Sequence, residues 1–248
     1  DPELAANLMW AWDAMGRYPG GHVAPSSWLA YDPSVAPMAP RDLPGAFLPG
    51  FGATSRANFG QPSETFLLFR QGHNQSHFDM DQGSFKLYAF GEQMIPNSSL
   101  GYNSPAPATT QHGIISFGDG KEWMNNHGRV DTMISDYAYL KTADYLCGRQ
   151  RFDYKSGGSA NGFVTAPFDW YRQFIVMKSQ HPQNPTYVVL RDTFRGPELH
   201  PTHWHCWLLG KPEDIAVEGN RVVVKTPQGN VLELVFANLA QIKPTFTY

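Results

Sequence analysis

The sequence predicts a mainly β protein, a large antiparallel β-sandwich of supersandwich-like design preceded by one short α-helix and an irregular linker. Three observations predict it. From Glu64 onward, short apolar or alternating segments recur, separated by Gly, Pro, Asn and Asp clusters. The composition combines 42% hydrophobic and 14% aromatic residues with 23 Gly and 20 Pro, enough for a core but with many turns. Helical periodicity is confined to the first residues of the chain.

Asp1 can cap a helix that has Pro2 at its first position. Leu4, Leu8, Met9, Trp12 and Met15 follow at helical spacing, and Gly16 or Gly20-Gly21 ends the pattern. Residues 22–62 are rich in Pro, Gly, Ala and Ser and read as a linker with one short strand. The expected organisation is therefore a helix and linker over residues 1–62, and a sandwich over residues 63–248. The chain opens mid-pattern at Asp1-Pro2-Glu3, as expected of a segment of a longer protein.

Strands are expected at Thr65–Arg70, Phe85–Phe90, Glu92–Pro96 and Gly113–Phe117. Two more are expected at Asp131–Asp136 and Ala138–Leu146. Trp170–Lys178 and Tyr187–Phe194 should pair across a loop containing Pro182 and Pro185. His203–Leu209, Ile215–Glu218, Arg221–Lys225 and Asn230–Phe236 complete the set, with hairpin turns at Gly219-Asn220 and Gln228-Gly229-Asn230.

The formal net charge is −3, so no overall basic field exists for a nucleic-acid backbone. No run of about 18 apolar residues is present, so no transmembrane helix is expected. The two cysteines, Cys147 and Cys206, fit neither a zinc knuckle nor a redox CxxC, and read as free buried thiols rather than a disulfide. There is no phosphate-binding glycine loop, no GxSxG elbow, and no spacing that supports a Ser-His-Asp or Cys-His pairing.

The chemistry concentrates between His73 and Asp81, which hold two histidines and two aspartates just ahead of a strand. In an extended chain His77, Asp79 and Asp81 share one face. Imidazole beside carboxylate can bind a divalent metal or relay a proton. Asn97 and His112 stand at the ends of neighbouring segments and could converge on the same place. A second cluster, His200 to Trp207, puts His203 and His205 on one strand face, where they read as satisfied polar positions. Trp123, Trp170 and Trp204 could stack on sugar rings, although tryptophans at such positions are more often core.

The run His77-Phe78-Asp79-Met80-Asp81-Gln82-Gly83-Ser84-Phe85-Lys86-Leu87-Tyr88-Ala89-Phe90-Gly91 resembles the signature that enters the β-sandwich of heparinase II/III-like polysaccharide lyases. That signature reads roughly H-x-H-x-D-x-G-S-F-x-L-x-x-x-G, followed by D-x-G-Y and then H-N before a strand. Ser99-Leu100-Gly101-Tyr102 and His112-Gly113 follow here in that order. Ala143–Gly148 resembles the family's A-x-Y-x-x-G turn. Arg172–Lys178 and Tyr187–Phe194 resemble its R-x-x-x-x-x-K and Y-x-V-x-x-D-x-F strand pair. The similarity runs from about Phe66 to about Phe236.

The resemblance implies a lyase that cleaves a uronate-containing polysaccharide (alginate, glycosaminoglycan or ulvan type) by β-elimination, secreted or periplasmic. It implies a sandwich packed against an α/α toroid domain of the same protein, residues 1–62 being the end of that toroid. The sandwich's catalytic histidine corresponds to His77, with the Tyr and Asn of the chemistry on the toroid. A metal set corresponds to Asp79, Asn97 and His112. Two positions depart from the family, Asp79 standing for a histidine and Asn97 for an aspartate. That oxygen-rich set would suit Ca, Mg or Mn as readily as Zn, or no metal at all. The rival expectation is a non-catalytic carbohydrate-binding sandwich.

Overall fold

The computed structural model describes residues 1–14, 32–72, 81–96, 112–117, 131–152, 166–179, 181, 184, 186–197 and 202–237. The chain divides into two compact units, Asp1–Leu43 and Pro44–Tyr248.

In the first unit the expected helix forms as α1, Pro2–Ala14. Asp1 caps it, its Oδ1 accepting the backbone N–H groups of Glu3 at 3.0 Å and Leu4 at 3.2 Å. Two of the donors a helix start leaves orphaned are thereby satisfied, and Pro2 has no donor to lose. Met9 is buried, while Leu4 and Leu8, one turn apart, stay 55% and 62% exposed. No described helix is long and apolar enough to cross a membrane.

The second unit holds fourteen strands in four antiparallel sheets among the described residues. Strands β1 (Phe47–Leu48), β2 (Gly52–Ala57), β3 (Thr65–Arg70), β4 (Phe85–Ala89) and β5 (Glu92–Ile95) lie side by side in chain order. A second sheet runs β10-β9-β8-β7, from β7 (Asp131–Tyr139), β8 (Ala143–Phe152), β9 (Phe168–Met177) and β10 (Tyr187–Arg195). Strand β6 (Ile115–Phe117) pairs with β11 (Thr202–Trp204), and β12 (Ile215–Glu218), β13 (Arg221–Lys225) and β14 (Val231–Val235) make a meander.

Alternation explains why the two large sheets face each other. In β3, Thr65, Leu67 and Phe69 point inward; in β9, Phe168, Trp170, Arg172, Phe174 and Val176 do. Phe174 meets Phe69 and Phe85 with ring centroids 4.9 and 5.2 Å apart. Each such aromatic stabilises the sandwich by about 1.5–3 kcal/mol through burial alone.

Two buried carboxylates pin elements distant in sequence. Asp144, fully buried, accepts from Ser55 Oγ at 2.6 Å and pairs with Lys178 Nζ at 2.7 Å. Burial, with the Asp144 carboxylate and Tyr137 adding smaller effects, pushes the Tyr139 phenol up to about 12. Glu92 accepts from Thr226, Asn230 and the Gln228 N–H, tying β5 to the β13–β14 turn. Burial alone would raise the Glu92 carboxyl; the three hydrogen bonds outweigh it and hold the group below its ordinary value.

The structure departs from the sequence reading at particular places. The first sheet starts before residue 63, where the sequence pattern puts it, because β2 pairs in register with β3 from Gly52↔Arg70 to Ala57↔Thr65. Its inward residues Ala53, Ser55 and Ala57 are small, so the strand carries almost no apolar signal. The stretch read as one strand over 138–146 contains the turn between β7 and β8 instead, and β8 continues to Phe152. The strand read over His203–Leu209 is shorter and one residue earlier. Cys147 and Cys206 are free, as expected.

Candidate functional site

Three of the four predicted site residues, His77, Asp79 and Asn97, lie outside the described residues; His112 lies within them, 4% exposed at the start of the segment leading to β6. Among the described residues no three His, Cys, Asp or Glu side chains converge as a metal site. What the structure does describe is the frame that holds the ends of these segments.

The frame is built on Arg172. An arginine at an inward position of β9, between Trp170 and Phe174, must find partners for a charge that is only 1% exposed. It finds four. Nε and Nη2 form a two-pronged pair with Asp192 at 2.8 and 3.0 Å. Nη1 donates to the carbonyl of Gly83 and to that of Gly113, both at 2.6 Å. The guanidinium also lies over the Trp170 ring, 4.9 Å from its centroid. One cation therefore binds the turn just after the His73–Asp81 stretch to the residue following His112. The sequence reading placed Arg172 in a motif but assigned it no role; the signal available was a charge on the apolar face of an otherwise alternating strand.

Around this hub the entry to β4 is tightly specified. Asp81 pairs with Arg70 at 3.4 Å, and its carbonyl accepts the Ser84 N–H at 2.9 Å. Asp81 thus supports the turn. Gly83 has φ +83°, and a Cβ there would lie 2.3 Å from Trp170 Cη2. The Trp170 Nε1–H donates to Asp192 Oδ1 at 2.8 Å, and the ring is 1% exposed. Trp170 is therefore core, not a sugar-stacking platform. The other end of the stretch is also held, because Thr132 Oγ1 donates to the Gly72 carbonyl at 2.6 Å. Beside Thr132 and Trp170 in strand register lies Gln150, fully buried, whose carboxamide makes no hydrogen bond among the described residues.

A second polar contact lies between β6 and β11. Ser116 Oγ and His205 Nε2 are 2.6 Å apart, with Ser116 fully buried. Burial, with His203 adding a smaller effect, pushes the His205 imidazole down to about 4, so it is neutral at physiological pH. This agrees with reading His205 as a satisfied polar position. Burial pushes the Cys206 thiol up to about 12, the Arg172 guanidinium opposing this only in part.

No family model and no curated protein matches the chain. Solved structures do. A heparinase III (BT4657 gene product) aligns with TM-score 0.60 and 15% identity over 95% of this chain and 34% of its own. A heparan sulfate lyase HepC mutant from Pedobacter heparinus aligns with TM-score 0.58 and 16% identity over 94% of this chain and 34% of its own. What is shared is the fold. The chain spans about a third of the length of the structures it matches.

Proposed function

We propose that this chain is the β-sandwich part of a polysaccharide lyase that cleaves a uronate-containing polymer of alginate, glycosaminoglycan or ulvan type by β-elimination. The observation that carries the reading is the likeness of its fold, over 95% of the chain, to a heparinase III. β-Elimination needs a base for the proton beside the uronate carboxyl and neutralisation of the charge that develops there. His77 is the residue we assign to that work from the sandwich side. The Arg172 frame, which ties Gly83 to Gly113, joins the chain that follows His77 to the chain that follows His112 and supports reading the two together. The complementary wall would be an α/α toroid of the same protein, and the exposed Leu4 and Leu8 of α1 suit packing on further helices. A polymeric substrate suits a secreted or periplasmic protein.

Asp79, Asn97 and His112 would hold a divalent cation, a set of oxygen donors and one imidazole that fits Ca, Mg or Mn as well as Zn. Such an ion would supply fixed positive charge. The test of the function is direct. The complete protein is incubated with heparin, chondroitin, alginate and ulvan, and the ultraviolet absorbance of the unsaturated uronate product is followed. A rise with at least one polymer is expected; binding without a rise on any of them would favour the carbohydrate-binding module instead.

A further inference from the structure

We propose that the outer face of the β10-β9-β8-β7 sheet, along its β9–β10 side, is a second binding surface for an anionic polysaccharide. The inward row of β9 is buried, so Asp169, Tyr171, Gln173, Ile175 and Met177 face outward. The register sets Arg195 beside Asp169, and Arg191 beside Gln173. On the far side of β9, Arg151 also stands opposite Asp169. Asp169 is already shared by two guanidiniums, Arg149 at 2.9 Å and Arg151 at 3.3 Å. Arg191 and Arg195 are exposed and have no carboxylate partner among the described residues.

Two further acids, Asp131 and Asp136, hold places on β7, at the opposite edge of the sheet. Strands about 4.8 Å apart set them roughly 14 Å from β10, beyond the screening length of physiological salt. A cationic surplus therefore sits at the β10 edge of a chain whose net charge is −3. Arg195 is steadied by the Tyr171 ring, 4.9 Å from its centroid, which lowers the entropy lost on capturing an anion.

The remainder of the row argues for sugar. Tyr187 and Val189, 64% and 53% exposed, continue the outward side of β10 beyond Arg191. Arg191 and Arg195 are separated by about 13 Å along the strand. An aromatic surface in line with spaced guanidiniums fits a polymer that has C–H ring faces and regularly placed carboxylates or sulfates. The choice of glycan as the polyanion rests on the function proposed above; the charge asymmetry does not.

The experiment uses the complete protein and heparin as probe, with a DNA duplex of matched charge for comparison. Affinity is read by calorimetry across a salt series, independently of turnover. The Arg191→Gln/Arg195→Gln variant should bind heparin about tenfold more weakly or worse, with a shallower salt dependence. Tyr187→Ala should weaken binding and leave the salt dependence unchanged, and Lys225→Gln on the separate meander should change nothing. Unchanged affinity in the double arginine variant overturns the proposal, as does an equal loss in Lys225→Gln. Duplex binding as tight as heparin binding, lost in the same variants, overturns the glycan assignment. Heparin binding lost as expected in a protein that makes no unsaturated product would sink the lyase reading alone. Product formation with unaltered affinity in the variants would sink this proposal alone.

Discussion

Arg172 and Asp192 meet in two parallel hydrogen bonds inside the sandwich, Nε to Oδ1 at 2.8 Å and Nη2 to Oδ2 at 3.0 Å. The pair spans β9 and β10 in direct register and leaves one guanidinium nitrogen to collect two carbonyls from elsewhere in the chain. Lysine cannot reproduce this, since it offers one charge centre and no planar fork. Arg172→Met strands the Asp192 carboxylate and frees both carbonyls, so a loss of about 3–5 kcal/mol in stability is expected. Arg172→Met/Asp192→Leu should cost clearly less than the sum of the two single changes. Urea unfolding of the four proteins in a double-mutant cycle measures both statements; additive losses would refute the coupling.

Gly83 and Trp170 provide an independent check on the same frame. Gly83→Ala meets two obstacles, a φ of +83° and an approach of 2.3 Å to Trp170 Cη2. The first costs about 1 kcal/mol at a non-glycine residue. The second forces a buried ring to move, at about 1–3 kcal/mol. Trp170→Phe removes the offending ring atoms and leaves the backbone strain, so it should rescue Gly83→Ala only in part. Thermal melts of the two single variants and the double variant test this, and full rescue would show that the backbone conformation carries no cost.

These contacts show what the sequence makes legible and what it hides. Strands β3, β4 and β9 are readable because large apolar residues dominate their buried faces. Strand β2 is hidden because close approach between sheets selects Ala53, Ser55 and Ala57, which resemble linker composition. The resemblance motifs also acquire physical meaning. Gly148 is required because a Cβ there would sit 2.4 Å from Phe69 Cζ. Arg172 and Lys178 are required as cations for Asp192 and Asp144. No periodicity could announce those partners, because each pairing joins side chains across strands or sheets.

His205 gives a pH prediction with a defined sign. Its imidazole is held at about 4 in the fold against 6.5 ordinarily, by burial first and by His203 second. The unfolded chain therefore takes up the proton first, so stability is fully present above pH 6.5 and is lost as pH falls toward 4. Glu92, held below its ordinary value, acts in a lower window, losing its contribution only as pH falls through its depressed value. His205→Gln keeps a polar partner for Ser116 and removes the titration. The difference in unfolding free energy between this variant and the parent should thus vary between pH 7 and pH 4 and be flat above pH 7. A difference independent of pH across that range would show that His205 titrates normally.

The catalytic assignment separates from the structural one through His77 and His112. His77 belongs to a stretch whose two ends, Gly72 and Gly83, are held by Thr132 and Arg172. Replacing His77 should therefore leave the frame standing. If His77 works as proposed, His77→Ala in the complete protein is expected to lower kcat by about 10²–10⁴-fold, the usual worth of general acid–base help, with the melting temperature unchanged. His112 is buried, and His112→Ala should lower the melting temperature whatever else it does. If His112 also ligates a cation with Asp79 and Asn97, metal analysis of purified His112→Ala, Asp79→Ala and Asn97→Ala should each show a depleted ion. A stoichiometric metal retained in all three would reject that ligand set. Turnover unaffected by His77→Ala would likewise remove His77 from the chemistry and leave the Arg172 frame as a purely structural device.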